Sequence, residues 1–230
     1  LFIFGILLKL IFILSGNQLE VFYAYLSFIE HGMTYPFDAW SEWSVSSRLD
    51  SSAFPYGLVM LFVFIPFFYI AEFFNIDYFI AYYATIFVFD YLILLILLRF
   101  FPSKVNLTLI CYWLSPIIIF ACYMVGYNDV IPTMLLLLAF LTISQHKYKL
   151  SGLVYALAVS AKLSMLLALP LFLIYFYSNR NLKIQFFQFI SFFMVAFLLL
   201  VMPLLFTPEF IQMIQNNPEI PNLWDSKIAA

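Results

Sequence analysis

Residues 150–177 read LSGLVYALAVSAKLSMLLALPLFLIYFY, a run in which Lys162 is the sole charged side chain. Apolar runs of this length without strict alternation are the mark of membrane helices rather than of barrel strands. As one straight helix the run would reach about 42 Å at 1.5 Å per residue, well beyond the ~30 Å of a bilayer's hydrocarbon core. It would also leave Lys147 and Lys149 on one side and Arg180 and Lys183 on the other. Lys and Arg collect in short cytoplasmic loops, so the expectation is a hairpin of two short helices that turns near Ser160-Ala161-Lys162-Leu163. Its apex cannot offer irregular backbone to lipid and must be buried in protein or line a wet cavity.

The rest of the chain has the same character. Of its 230 residues 66% are hydrophobic and 10% charged, against about 25% charged in a soluble domain. Further uncharged runs cover Phe54–Ala71, Val105–Asn128, Val130–Gln145 and Ile184–Pro208. The fold class is therefore all-α, a polytopic integral membrane protein of helical-bundle type. Aromatics make up 22% of the chain, and clusters such as Tyr82-Tyr83 and Tyr175-Phe176-Tyr177 fall near the edges of the runs, where amphipathic rings favour the interface. A net charge of −2 points to no nucleic-acid partner. Cys111 and Cys122 lie on one expected helix about 16 Å apart along its axis, too far to bridge. The six glycines form neither GxGxxG nor a P-loop, and GxSxG and HExxH do not occur, which disfavours nucleotide-dependent and simple hydrolytic chemistry. The first run, Leu1–Leu14, is short and contains Lys9. Without a small-residue cleavage site it reads as the tail of a truncated membrane helix, and Leu223–Lys227 reads as a cut in mid-loop.

Charge then sets an expected topology for a single transmembrane domain over 1–230. Three loops, at Arg99/Lys104, Lys147/Lys149 and Arg180/Lys183, carry six of the ten basic residues and are assigned to the cytoplasm. Membrane helices follow at 78–98, 105–123 and 131–144, then the hairpin at 150–177 and a last helix at 184–206. Residues 15–53 form an outer acidic loop with Glu20, Glu30, Asp38, Glu42, Arg48 and Asp50 among Trp40, Trp43 and several tyrosines. Such a mixture suits short helices lying on the membrane surface. For that loop to stay outside, residues 54–74 must not cross. They are expected as a juxtamembrane helix with Pro66 at its middle, and 207–230 as a truncated outer segment.

In this arrangement the acidic loop, Asp129, Lys162 and the C-terminal segment meet on the outer face, where carboxylates, a lysine and aromatics can bind a phosphate and a sugar. Solvation alone accounts for Glu30, Glu42 and Asp50. Asp129 ends an uncharged run after Gly126-Tyr127-Asn128 and is either functional or a helix N-cap. Lys162 is either a functional charge at depth or a snorkelling side chain. Asp90, in mid-helix, has no obvious partner, and no metal-ligand spacing surrounds His31 or His146.

Three motifs carry a resemblance. Glu20-Val21-Phe22-Tyr23 through Glu30-His31-Gly32-Met33-Thr34-Tyr35-Pro36, with Ala53-Phe54-Pro55-Tyr56-Gly57, resembles the first-loop pattern of GT-C fold glycosyltransferases, which use polyprenyl-phosphate-linked sugars. Gly126-Tyr127-Asn128-Asp129 is similar to their second outer acidic site, and Leu150–Ala158 followed by Lys162 to their lysine-bearing pair of short helices. The likeness runs over roughly residues 10–206. It implies a mannosyltransferase-like membrane enzyme that moves a sugar from a polyprenyl-phosphate donor to a hydroxyl of a glycan, lipid or protein acceptor, with its active site on the outer or luminal side of a plasma, inner or endoplasmic reticulum membrane. The paired acids DE or DxD that such first loops often carry are absent, which leaves the base between Glu20 and Asp38, with Asp38 preferred. Asp129 would position the acceptor or a divalent metal, the single cofactor in view. Lys162 with Arg48 would meet the donor phosphate, with Tyr56 on the substrate side. The rival readings are a lipid-linked-sugar transporter or flippase and an inactive membrane scaffold.

The topology makes a direct prediction. In a background lacking Cys111 and Cys122, single cysteines in the loops around Arg99, Lys147 and Arg180 are expected to react with a membrane-impermeant thiol reagent only after the membrane is opened. One at Asn17 or Asn216 should react without opening. Outside labelling of the Arg180 loop rules out the hairpin.

Overall fold

The computed structural model describes residues 1–15, 20–45 and 54–215, and these are helical apart from short connections. Helix α1 covers Phe2–Ser15, α2 Glu20–Thr34 and α3 Ala39–Val45, so the described residues of the acidic stretch 15–53 form two short helices. Helix α4, Leu58–Phe74, stops where Asn75 turns into the left-handed region and gives its N–H to the Ala71 and Glu72 carbonyls. Asp77 then caps the next helix by accepting from the Phe79 N–H at 2.9 Å, satisfying one of the first orphan amides. This tight stop and start folds α5, Tyr78–Phe100, back along α4. Phe64 consequently stacks on Tyr82 at 4.8 Å and Phe68 on Tyr78 at 5.0 Å.

Among the described residues three helices are long and apolar enough to cross a bilayer: α5, α6 (Pro102–Val125) and α10 (Lys183–Leu205). Helix α6 contains the expected span 105–123 but is not uniform. Pro116, with no N–H to donate, interrupts it after Ser115, and the turns at Leu109–Trp113 and Ile119–Val125 are π-helical. Each wide turn re-aims aromatic side chains, and both deliver a tyrosine to the same residue of α5.

Helices α7 (Val130–Ser144) and α8 (Tyr148–Ala161) are antiparallel neighbours joined by a turn at His146. Helix α9, Leu163–Ser178, opens as a 3-10 turn and becomes α-helical at Leu169 with Pro170 in its first turn, where a proline is tolerated. It returns along α8, with Phe172 against Tyr155 at 4.6 Å and Phe176 against Tyr148 at 5.9 Å. Helix α11 is Pro208–Gln215. The core is largely aromatic: Tyr155, Phe172 and Phe189 pack with Phe140. Backbones come close at Gly152, where a Cβ would collide with the Phe189 carbonyl of α10. Small residues at such crossings are how membrane helices gain contact when burial from water cannot drive them together.

These pairings gather the loops at Arg99/Lys104, Lys147/Lys149 and Arg180/Lys183 at one end of the bundle. Gly126, Asp129 and Lys162 lie at the other, where the Tyr82 hydroxyl donates to the Gly126 carbonyl at 2.7 Å.

Within the bundle Asp90 does have a partner. Lys9 of α1 reaches its Oδ2 at 2.6 Å, and both side chains are fully buried. Tyr123 donates to the same oxygen at 2.6 Å and Tyr112 to Oδ1 at 2.7 Å. The ammonium also lies 3.1 Å from the centre of the Trp113 ring, whose N–H donates to the Phe2 carbonyl at 3.0 Å. The carboxylate thus has its charge balanced and both oxygens occupied, the condition under which a buried ion pair is tolerated. Removing one partner strands a charge, at a cost of about 3–5 kcal/mol. Lys9→Met is therefore expected to lower the unfolding temperature of the detergent-solubilised protein strongly, and Lys9→Met/Asp90→Asn to recover more than half of the loss. Additive losses in the double variant would contradict a paired site.

Candidate functional site

The site is built where α8 gives way to α9. Pro170 lies in the first turn of the α-helical part of α9, where its missing N–H is tolerated. Helix α8 ends at Ala161, and Lys162 takes an extended conformation, φ −148° and ψ 117°, between α8 and the 3-10 turn. Its N–H still bonds to the Ala158 carbonyl, so the side chain leaves the last turn of α8 in a fixed direction. There the ammonium forms an ion pair with Asp129 Oδ1.

Asp129 occupies the cap position of α7, yet its side chain makes no capping hydrogen bond. The N-cap reading therefore does not describe it: the carboxylate is committed to Lys162. The side chains are 28% exposed for Lys162 and 49% for Asp129, so solvent screens the pair and its contribution to stability is small. That separates it from the Lys9–Asp90 pair, which is sealed. A lysine holds three N–H donors, and an accessible ammonium can turn to an anionic ligand or share itself between ligand and carboxylate.

Tyr56 completes this end. Its ring lies 5.8 Å from the Lys162 ammonium, and its hydroxyl is 3.2 Å from that of Tyr25 in α2. Burial, followed by the neighbouring Tyr25, pushes the Tyr56 phenol up, so it serves as a hydrogen-bonding group and not as an anion. The segment 54–57 is held from several sides. Trp40 of α3 donates its ring N–H to the Phe54 carbonyl at 3.3 Å, Phe28 stacks on Phe54 at 4.8 Å, and the Phe54 N–H meets the Met213 sulfur of α11 at 3.2 Å. Gly57 gives its N–H to the Ala161 carbonyl at 3.4 Å, and a Cβ there would strike the Ser160 carbonyl. Only glycine lets this strap lie against the end of α8, next to Lys162.

The structure thus brings together Asp129, Lys162 and Tyr56, from three separate parts of the sequence. Asp38 lies exposed in the turn before α3, and its carbonyl starts that helix by accepting from the Glu42 N–H at 3.0 Å. Among the described residues it makes no hydrogen bond or ion pair with Asp129 or Lys162. Glu20 is the first residue of α2, but its side chain, like the whole of Arg48, lies outside the described residues. Tyr25 and Tyr82 are further parts of this end; the sequence marked Tyr82 only as an interfacial aromatic and did not assign either to the site. The signal available for Tyr25 was its place in the aromatic first loop.

A divalent cation does not fit the groups in view. Among the described residues no three His, Cys, Asp or Glu side chains come together, and the Asp129 carboxylate already carries the Lys162 cation, which an incoming metal would have to displace. The chemistry available is that of a cation and a carboxylate of adjustable pairing beside a buried phenol.

The model of glycosyltransferase family 87 matches residues 54–227, more than half of the chain and including Tyr56, Asp90, Asp129 and Lys162. No curated protein and no solved structure matches the chain.

If Gly57 is required for the strap, Gly57→Val should push residues 54–57 off α8. The expected result is faster protease cleavage near Tyr56 in the folded protein, whereas Leu167→Val, at an exposed position, should leave the cleavage pattern unchanged. Equal patterns in the two variants would show that the close approach is dispensable.

Proposed function

Since the chain belongs to glycosyltransferase family 87 and is a membrane glycosyltransferase, we propose that it transfers a sugar from a polyprenyl-phosphate donor to an acceptor hydroxyl, with inversion, on the outer or luminal side. The observation that carries this reading is the half-open Lys162–Asp129 pair, set at the end of the bundle opposite the basic loops.

A carboxylate of the first loop, Asp38 or Glu20, takes the proton from the acceptor hydroxyl. The oxygen attacks the anomeric carbon as the bond from that carbon to the phosphate oxygen breaks, and the electron pair leaves with the polyprenyl phosphate. Lys162, with Arg48, meets the charge that grows on the leaving phosphate, a role that strengthens where water is scarce. Asp129 holds the ammonium in place before the donor arrives and positions the acceptor once the lysine has turned to phosphate. Tyr56 supplies the neutral wall beside the cation. The positive-inside rule supports the outer assignment, because the basic loops gather at the far end. Partners are the membrane lipid itself, the lipid-linked donor, and a glycan, lipid or protein acceptor.

Two measurements test this. Loss of a positioned general base lowers turnover by about 10²–10⁴, so Asp38→Asn or Glu20→Gln, whichever removes the base, should fall by that factor with donor binding nearly intact. Wild-type turnover in both variants removes the mechanism. For Lys162, a charged hydrogen bond is worth about 1.5–3 kcal/mol, or roughly 10- to 100-fold in affinity. Lys162→Ala and Lys162→Gln should weaken donor binding by that much, and Lys162→Arg should keep part of it, since the charge remains but the planar fork fits a lysine site poorly. Equal donor dependence of the initial rate in all three variants, normalised to folded protein, would sink the phosphate role.

A further inference from the structure

Asn128 stands between the Tyr82-anchored Gly126 and Asp129. It is 1% exposed, and neither its amide nitrogen nor its amide oxygen has a hydrogen-bond partner. Leaving one buried polar group unpaired costs on the order of 1–3 kcal/mol, and here two are unpaired on one side chain. A leucine of nearly the same shape would avoid the whole penalty. Retaining the carboxamide is understandable if something outside the chain pairs with it. Ser160, two positions before Lys162, is another described residue with an unpartnered buried polar atom. By contrast, the tyrosines around Asp90 all have their hydroxyls engaged. Unpaired polar capacity is thus found on both elements that supply the Lys162–Asp129 pair.

A carboxamide offers an acceptor and a donor side by side. Two neighbouring hydroxyls of a sugar ring offer a donor and an acceptor at matching spacing, so a planar amide can take both at once. A phosphate offers only acceptors and would leave the amide oxygen unpaired. A hydrocarbon chain would leave both groups unpaired.

We propose that Asn128 is a specificity-determining residue that pairs, through both amide atoms, with two adjacent hydroxyls of the sugar carried by the donor. The proposal rests on the reading of Lys162 as the donor-phosphate contact. The phosphate is bonded directly to the anomeric carbon, so with the phosphate on Lys162 the ring lies within a few ångströms. Asn128 is the chain neighbour of Asp129, the lysine's own counter-ion, which sets its backbone beside that site. A site that hydrogen-bonds a hydroxyl rejects analogues lacking it, because its buried polar group is left unpaired.

The test compares the affinity of the purified full chain in detergent for a short polyprenyl phosphate alone and for the same lipid phosphate bearing mannose or glucose. In the wild type the better-fitting sugar should tighten binding at least about tenfold, the worth of one to two hydrogen bonds. Asn128→Leu should abolish that gain while leaving affinity for the bare lipid phosphate unchanged, and its unfolding temperature should equal or exceed that of the wild type, because two unpaired groups are removed. Lys162→Ala should weaken both ligands by the same factor. If Asn128→Leu does not fold, Asn128→Ser is read in the same way. A sugar-dependent gain that persists in the Asn128 variant overturns the proposal, as does a rise confined to the KM of the acceptor. If neither lipid binds the wild type in a Lys162-dependent manner, the donor-phosphate reading itself fails and this inference goes with it.

Discussion

The close approach of three backbones to helix α8 is the constraint on which the Lys162 end depends. Ser151, Gly152, Ala156, Ala158, Ser160 and Ala161 are all buried, and their small size brings neighbours to backbone distance. Ser151 donates to the Ala139 carbonyl of α7 at 2.8 Å, Gly152 lies under the Phe189 carbonyl of α10, and the Gly57 strap rests on the Ser160 carbonyl. In lipid there is little gain from merely hiding apolar surface, so dispersion contacts and carbonyl-directed hydrogen bonds must hold helices together. A larger side chain on any of these faces would move a neighbouring element and disturb the packing that brings Asp129, Lys162 and Tyr56 together.

The two ion pairs divide the electrostatic work between them. Lys9 and Asp90 are fully buried, with Tyr112, Tyr123 and the Trp113 face closing the remaining valences. Nothing is left over for a ligand, and the pair acts as a clasp from α1 to α5 and α6. Lys162 and Asp129 have a different environment, with water on both side chains and few further partners. A transporter reading leans on solitary charges at membrane depth. Of these two pairs, Lys9 and Asp90 are sealed and the accessible charges are Lys162 and Asp129 at the helix break.

Membrane class and helix content were legible because they rest on composition and run length, which need no knowledge of tertiary contacts. The GT-C resemblance was legible from short motifs around Glu20, Gly126 and Leu150, and membership of glycosyltransferase family 87 bears it out. Long-range pairing was not legible. Asp90 finds its partner 81 positions away in a run whose lysine read only as an irregularity. Asp129 carried two equivalent local readings, cap and function, and only the position of Lys162 in space separates them. Nor could the π-helical turns of α6 be seen, since periodicity cannot distinguish them from α-helix over five or seven residues. The unpaired amide of Asn128 lay inside a motif that the sequence did single out, but burial without a partner is a property of the folded chain alone.

On the proposed chemistry, the half-open character of the Lys162–Asp129 pair follows from what a transfer cycle requires. A cation buried with no counter-ion would be costly in the resting protein, and one with a sealed counter-ion could not reach a phosphate. A lysine with no competitor would bind the departing polyprenyl phosphate at least as tightly as the donor, because the product carries more negative charge. A partly exposed carboxylate within reach of the same ammonium addresses all three difficulties. It holds the lysine in position before binding, yields it as charge grows on the leaving oxygen, and competes for it afterwards. Binding energy is then drawn most heavily at the transition state, the condition under which an electrostatic contact raises turnover instead of merely tightening the ground state.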